Sequence, residues 1–188
     1  MEKTENNTFW DSLQSKSHYI ETTMNPLERK RTGSYYTDIK LTDKMIHELV
    51  SNLKTGSKAI YNYRFLEPCV GSGNFVFSYL KEAKKLGLTA SEAKILLNNI
   101  YVADINKTAL EGYIDSLKKI VSFYWGITLD KNYFEKHIGL GLLMDLTKSK
   151  LEYIPINKVF EPEIAEKRFD IIATNPPYKN LKAERLCK

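Results

Sequence analysis

An α/β domain built around a parallel sheet is the fold class the sequence predicts, and three observations predict it. A strand-like stretch at residues 63–67 and short apolar runs at 100–103 and 169–174 are separated by stretches in which apolar residues recur every three or four positions. That is the strand-then-helix alternation of parallel sheets. The first run ends in a turn with two glycines, Gly71 and Gly73, that leads directly into a helical stretch. At 188 residues and 43% hydrophobic, the chain also has enough apolar material for one sizeable core.

Residues 1–30 mix polar residues with Phe9, Trp10, Leu13, Tyr19 and Ile20, which suits a short packed helix or two. Glu28-Arg29-Lys30-Arg31 then precedes Gly33-Ser34-Tyr35-Tyr36-Thr37. From Thr42, the positions Met45, Ile46, Leu49, Val50 and Leu53 form a helical stripe, and Gly56 falls where such a helix stops. Residues 1–60 therefore read as an N-terminal helical segment and 61–188 as the sheet domain. After the first strand, a turn over 68–73 opens a helix over 74–86, ended by Gly87. Thr89 and Glu92 form a capping-box pair that starts a second helix running to about residue 98. The strand at 100–103 meets Asp104. Asn106 caps a helix whose apolar positions Leu110, Ile114, Leu117, Val121 and Tyr124 step by four, three, four and three. Residues 137–143 are a weaker strand, closed by Met144 and Asp145. The charged stretch 148–167, with Pro155 and Pro162, reads as loop, and 169–174 as a strand running into Asn175-Pro176-Pro177-Tyr178.

Composition excludes several classes. Twenty-eight basic residues against 23 acidic ones give a net charge of +5, compatible with a nucleic-acid partner and equally with ordinary solubility charge. Cys69 and Cys187 offer no disulfide framework, so a reducing, cytoplasmic setting is expected. No apolar run approaches the roughly 20 residues of a membrane span, and the polar start shows no signal-peptide pattern. His18, His47 and His137 are scattered, so no metal site is expected.

Glu67-Pro68-Cys69-Val70-Gly71-Ser72-Gly73-Asn74-Phe75 sits at a strand-to-helix junction. Gly71 and Gly73 let the backbone turn tightly and approach a ligand. The amides and positive dipole end of the following helix suit a carboxylate or a phosphate. A dinucleotide fingerprint needs a third glycine at position 76, where Val76 stands, and the Lys-Ser/Thr pair of a P-loop is absent. The loop thus favours a smaller nucleoside ligand. Asp104, at the end of the next strand, suits both hydroxyls of a ribose; the plainer role is capping the helix that begins near Asn106.

In Asn175-Pro176-Pro177-Tyr178, the two prolines remove amide donors and leave carbonyls able to accept hydrogen bonds. With the Asn175 side-chain carbonyl and the Tyr178 ring, these are the parts that grip a planar primary amine: two acceptors and a stacking face. The plainer reading is a simple turn, since Asn-Pro commonly opens one.

Together these residues resemble amino-methylating DNA methyltransferases of the gamma arrangement, in which the cofactor motifs precede the catalytic loop. The likeness runs over roughly residues 28–185. Gly33-Ser34-Tyr35-Tyr36-Thr37 looks like the family's upstream Gly-x-Tyr-Tyr-Thr-Pro motif, with Asp38 in place of proline. In the loop after the first strand, Val70 stands where the family commonly has cysteine. The resemblance implies a Rossmann-like methyltransferase fold and S-adenosylmethionine as cofactor. It places Tyr36, Thr37, Glu67, Gly71 and Gly73 about the methionine part and Asp104 at the ribose. Ile105 would pack on the adenine and Asp145 meet its amine. It makes Asn175, Pro176, Pro177 and Tyr178 the catalytic loop, acting on the exocyclic amine of an adenine flipped out of double-stranded DNA in a restriction-modification setting. Lys179, Lys182, Arg185 and Lys188 would then contact phosphates or form a solvated helix face.

Family members carry a seven-stranded sheet and a target-recognition region, whereas this chain supplies four strands. The expectation is a shortened piece of a longer methyltransferase, inactive alone, with the remaining half or a second polypeptide as partner. Its fourth strand, with Phe169, Ile171 and Ile172, is expected to be an apolar edge. The nearest rival reading is a protein-glutamine methyltransferase of the release-factor type, which lacks a counterpart of the Tyr35-Tyr36-Thr37 motif; a guanine-methylating RNA methyltransferase is a weaker version of the same rival. A non-catalytic cofactor-binding module is the rival from another class.

Overall fold

The computed structural model describes residues 9–10, 12, 37–53, 56–141, 144–145, 152–153, 159–160 and 168–175. Its strands are β1 (Phe65–Glu67), β2 (Ile100–Asp104), β3 (Ile138–Leu140), β4 (Met144–Asp145), β5 (Glu152–Tyr153) and β6 (Ile171–Ile172). Four of them make an all-parallel sheet in the order β3-β2-β1-β6; β4 and β5 form a separate antiparallel pair. In the central register Phe65 lies between Ile100 and Ile171, and Leu66 between Tyr101 and Ile172. This is a Rossmann-like arrangement, with the chain crossing from one side of β1 to the other between β3 and β6.

Both faces of β1 and β2 are covered, which is why these strands are short apolar runs rather than alternating ones. Phe65, Ile100, Val102 and Ile171 join the main core with the helices, whereas Leu66, Tyr101 and Ala103 pack with Phe160, Val159 and Phe169 on the other side. The predicted strands at 63–67 and 169–174 shorten to three and two ladder residues. The Ala173 amide still reaches the Leu66 carbonyl at 3.1 Å, so pairing continues past β6. As an edge, β6 leaves Ile172 64% exposed.

Helix α1 (Ile39–Leu53) begins three residues before the expected start because Asp38 opens it. The Asp38 carboxylate accepts the Lys40 amide at 2.8 Å, the service an N-terminal cap provides. Its stripe is narrower than the sequence suggested: Ile46 and Val50 are buried, but Met45 is exposed. Helix α2 (Asn74–Lys85) lies between α1 and the sheet and is buried almost all round, from Phe75 through Leu80 to Ala83. Polar groups fix its register on α1, with the Thr42 and Ser78 hydroxyls 2.9 Å apart and Ser78 donating to Asp43 at 2.7 Å.

Helix α3 (Ala90–Leu97) starts with the Thr89–Glu92 capping box. Asn106 caps α4 (Lys107–Trp125) by accepting the Ala109 amide, and Leu110, Leu117, Val121 and Tyr124 are buried as their spacing predicts. Of the N-terminal residues, Trp10 donates to the Tyr124 hydroxyl at 2.8 Å and Phe9 stacks on Phe123 at 4.2 Å.

Two expectations need correction. Residues 131–137 are a helix, α5 (Lys131–His137), capped by Asp130, so the strand expected over 137–143 is reduced to β3. A seven-residue helix is too short to show a stripe, and His137 is held at its end between the Tyr101 and Tyr133 rings. The stretch expected to be loop over 148–167 contains β5. No helix among the described residues is long and apolar enough to cross a membrane.

Candidate functional site

Because β6 and β2 flank β1 on opposite sides, the carboxyl ends of these three strands converge where strand order reverses, the usual crevice of an open α/β sheet. Three predicted segments emerge there: the glycine loop after β1, Asp104 at the end of β2 and Asn175 after β6.

The glycine loop is tied down by backbone bonds. Val70 donates to the Ala103 carbonyl at 2.9 Å and Gly73 to that of Val70 at 2.7 Å. Gly71 and Gly73 both have left-handed backbone, φ 51° and 89°, where a side chain is strained. Gly73 has a second reason to be glycine. A Cβ there would lie 2.5 Å from Tyr113 Cδ2 and 2.7 Å from Phe77 Cζ, so the missing side chain is what lets α4 and α2 close on the loop.

Asp104 reaches across to this loop. One carboxylate oxygen accepts the Gly71 amide at 2.8 Å and the other accepts the Asn106 amide at 2.8 Å. Asp104 is therefore a brace between two loops, while Asn106 caps the helix. Each carboxylate oxygen keeps lone-pair capacity for a further donor. Burial raises its pKa, against the lowering influence of the Asn106, Gly71 and Ile105 amides.

Glu67 is the most unusual group present. It closes β1, is only 2% exposed, and accepts the amide of Val76 in the first turn of α2. Gly73, at the cap position, has no side chain to do this. The other Glu67 oxygen, Oε2, has no hydrogen-bond partner. Burial, joined by the nearby Asp104 charge and opposed by the Val76 amide, holds the Glu67 pKa well above the ordinary carboxylate range.

On the β6 side, Thr174 sits beside Cys69. Burial pushes the Cys69 thiol up to about 11, with the Thr174 hydroxyl working the other way and the Asp104 and Glu67 charges adding to the rise. The Thr174 oxygen is itself buried without a partner of good hydrogen-bond geometry. Asn175 follows it, half-buried.

From the upstream motif, Thr37 is brought to the same place: the Asn74 side chain donates to its carbonyl at 2.7 Å. Thr37, Glu67, Gly71, Gly73, Asp104 and Asn175 thus gather around the ends of β1, β2 and β6. Ile105, next to Asp104, presents an exposed apolar side chain. Asp145 lies in β4, paired with Glu152 of β5, and so outside the parallel sheet rather than at the end of its third strand. Tyr36, Pro176, Pro177 and Tyr178 lie outside the described residues, as do the lysines and Arg185 that follow them. Sequence reading passed over Asn74, Cys69 and Thr174. A polar residue just inside a helix whose cap position is glycine was the available signal for Asn74. Among the described residues no three His, Cys, Asp or Glu side chains are grouped to hold a metal ion.

Chemically, the arrangement offers an unpaired buried acceptor at Glu67, a second acceptor at Asp104, helix-start amides and an exposed aliphatic side chain. That set fits a ligand with an ammonium, a diol, a carboxylate and a flat ring.

No protein-family model matches the chain, and no curated protein matches it. Among solved structures, it is similar to a chain in the cryo-EM structure of a DrdV–DNA complex, with a TM-score of 0.60 and 16% identity. The match covers 83% of this chain and 15% of that one, so the present chain spans a small part of its relative. At this identity the likeness is one of fold.

Proposed function

We propose that the chain carries the cofactor-binding half and the catalytic loop of an S-adenosylmethionine-dependent DNA methyltransferase acting on the exocyclic amine of adenine, in a restriction-modification setting. The observation that supports this reading is the meeting of the glycine loop, Asp104 and Asn175 at the reversal point of the sheet. The DNA in the DrdV complex is consistent with it.

S-adenosylmethionine supplies a methyl group on a positively charged sulfur, which needs no metal for transfer. Glu67 would take its ammonium, the start of α2 its carboxylate, Asp104 its ribose hydroxyls and Ile105 one face of its adenine. The work left to the chain is positional. The Asn175 side-chain carbonyl and the Pro176 carbonyl would accept the two hydrogens of the target amine, with Tyr178 stacked on the base. Gripped this way by Asn175 and Pro176, the amine would keep its lone pair available, and the proton it sheds would leave to solvent. Acceptors placed where positive charge develops stabilise the transition state.

The test is transfer of radiolabelled methyl groups to DNA, RNA and protein acceptors by the polypeptide that the complete reading frame encodes. Label in N6-methyladenine, abolished by Asn175→Ala with cofactor binding retained, is the expected result. Label in protein glutamine or in RNA would replace the substrate. Transfer to no acceptor, alone or with a partner polypeptide, would remove the enzyme reading.

A further inference from the structure

We propose that filling this site expels a proton from Glu67, so that ligand affinity is coupled to pH through that one side chain. The inference rests on the reading above, in which the ligand brings an ammonium group.

Among the described residues, Glu67 meets a neighbour from each element packed against it. From α2 it meets the Val76 amide; from β2, the Asp104 carboxylate; from α4, the buried Tyr113 phenol; from the loop after β1, the Cys69 thiol. From β6 the adjoining residue is Ala173, which titrates nothing. These neighbours are neutral or negative. Among the described residues, an ionised carboxylate here would be desolvated with the Val76 amide and a helix start as its support, and its second oxygen would face no donor. Without ligand these surroundings favour the protonated form, in keeping with the upward displacement of its pKa by burial and by Asp104.

An ammonium arriving at Oε2 changes this balance. It supplies the missing opposite charge and donor, which favours the ionised form. The proton on Glu67 then departs to solvent as the ion pair forms, and charge is conserved: one cation enters and one proton leaves. Between the pKa of Glu67 in the empty site and its lower pKa in the filled site, affinity rises with pH by about tenfold per unit. Above the empty-site value it becomes flat.

Calorimetric titration of the chain with S-adenosylhomocysteine tests this. That compound has the ammonium and lacks the sulfonium, so only the amino-acid end is at issue. In a pH series, heats measured in two buffers of different ionisation enthalpy should report proton release, greatest between the two Glu67 pKa values. Methylthioadenosine, which lacks the amino acid, should release none. Glu67→Gln should bind more weakly, release no proton and lose the pH dependence, whereas Asp104→Asn should still release it. Because Glu67→Gln alters a buried group, infrared difference spectra of the unmodified chain give a second measurement: a protonated-carboxyl band should vanish as ligand is added. Binding without proton release, absence of that band, or release that survives in Glu67→Gln would overturn the inference and leave the cofactor reading standing. Failure of both nucleosides to bind the folded chain would overturn the cofactor reading itself.

Discussion

Asp104 accepts the amide of Gly71, 33 residues earlier in the chain, at 2.8 Å, and in doing so fixes the glycine loop to the end of the neighbouring strand. Its other oxygen holds the Asn106 amide. One side chain therefore shapes two of the three loops that border the crevice. Asp104→Ala should lose both bonds and, with some relief from no longer burying a carboxylate, destabilise the fold by about 2 kcal/mol. S-adenosylmethionine affinity should fall by about tenfold or more, the equivalent of ~1.4 kcal/mol. Denaturant unfolding and calorimetric titration read the two effects separately. Unchanged affinity in a destabilised variant would leave Asp104 as a brace and remove the ribose role.

Two glycines of similar positive φ give a sharper comparison. Gly73 has φ 89° and Gly87 has φ 79°, but a Cβ at Gly87 meets nothing within 4 Å, whereas one at Gly73 runs into Tyr113 and Phe77. Gly87→Ala should therefore cost only the left-handed strain of about 1 kcal/mol. Gly73→Ala adds overpacking of about 1–3 kcal/mol to that strain. It should also spread α2 from α4 at the loop. Equal melting temperatures for the two variants would show that the close approach at Gly73 is not a real constraint.

Burial of Glu67 predicts a dependence of stability on pH. Its folded pKa is raised, so in the window between the ordinary unfolded value near 4.5 and the folded value, folding takes up a proton. That contribution favours the fold least at high pH: stability falls by about 1.4 kcal/mol per pH unit as pH rises through the window, then levels off. Asp104, also raised, contributes in the same sense. Glu67→Gln removes the larger part. The stability difference between Glu67→Gln and the unmodified chain should move in favour of the variant as pH rises from about 4.5. Parallel curves from urea titrations at several pH values would contradict this.

The elements legible in the sequence were those whose signal is local. The period of Leu110, Leu117, Val121 and Tyr124, the Thr89–Glu92 box and the Asn106 cap all specify structure through neighbours three or four residues away. So does the glycine loop, whose residues are consecutive. Strand ends were less legible, because ladder length depends on a partner: 169–174 pairs only as far as β1 extends. The early start of α1 lay in Asp38, read as a departure from a motif although its side chain makes it a good cap. Long-range bonds left no trace at all. Nothing in the spacing of Asn74 and Thr37, or of Cys69 and Thr174, says that they meet. Those contacts join segments across the sheet, so the segments were readable in the sequence and the bonds between them were not.

Cys69, after β1, and Thr174, after β6, form a side-chain contact between the segments that leave the two strands, and thiol chemistry can report on it. The thiol is moved from 9.0 to about 11, chiefly by burial. Two pKa units mean about a hundredfold less thiolate at neutral pH, and the thiolate is the form that reacts. In a Cys187→Ser background, so that one thiol is read, alkylation by iodoacetamide should run about a hundredfold slower than in the unfolded chain. The Thr174 hydroxyl opposes this rise, so Thr174→Val should slow alkylation further. Valine nearly matches threonine in shape, and the hydroxyl it removes is buried without a well-formed bond. Stability should therefore hold or increase, because removal relieves the cost of an unsatisfied buried group, about 1–3 kcal/mol. Thr174→Ser keeps the hydroxyl and should leave the thiol rate where it was. Faster alkylation in Thr174→Val, with the fold intact by circular dichroism, would mean that the two side chains do not meet at the switch point. The short link from the glycine loop to Asn175 would then be lost.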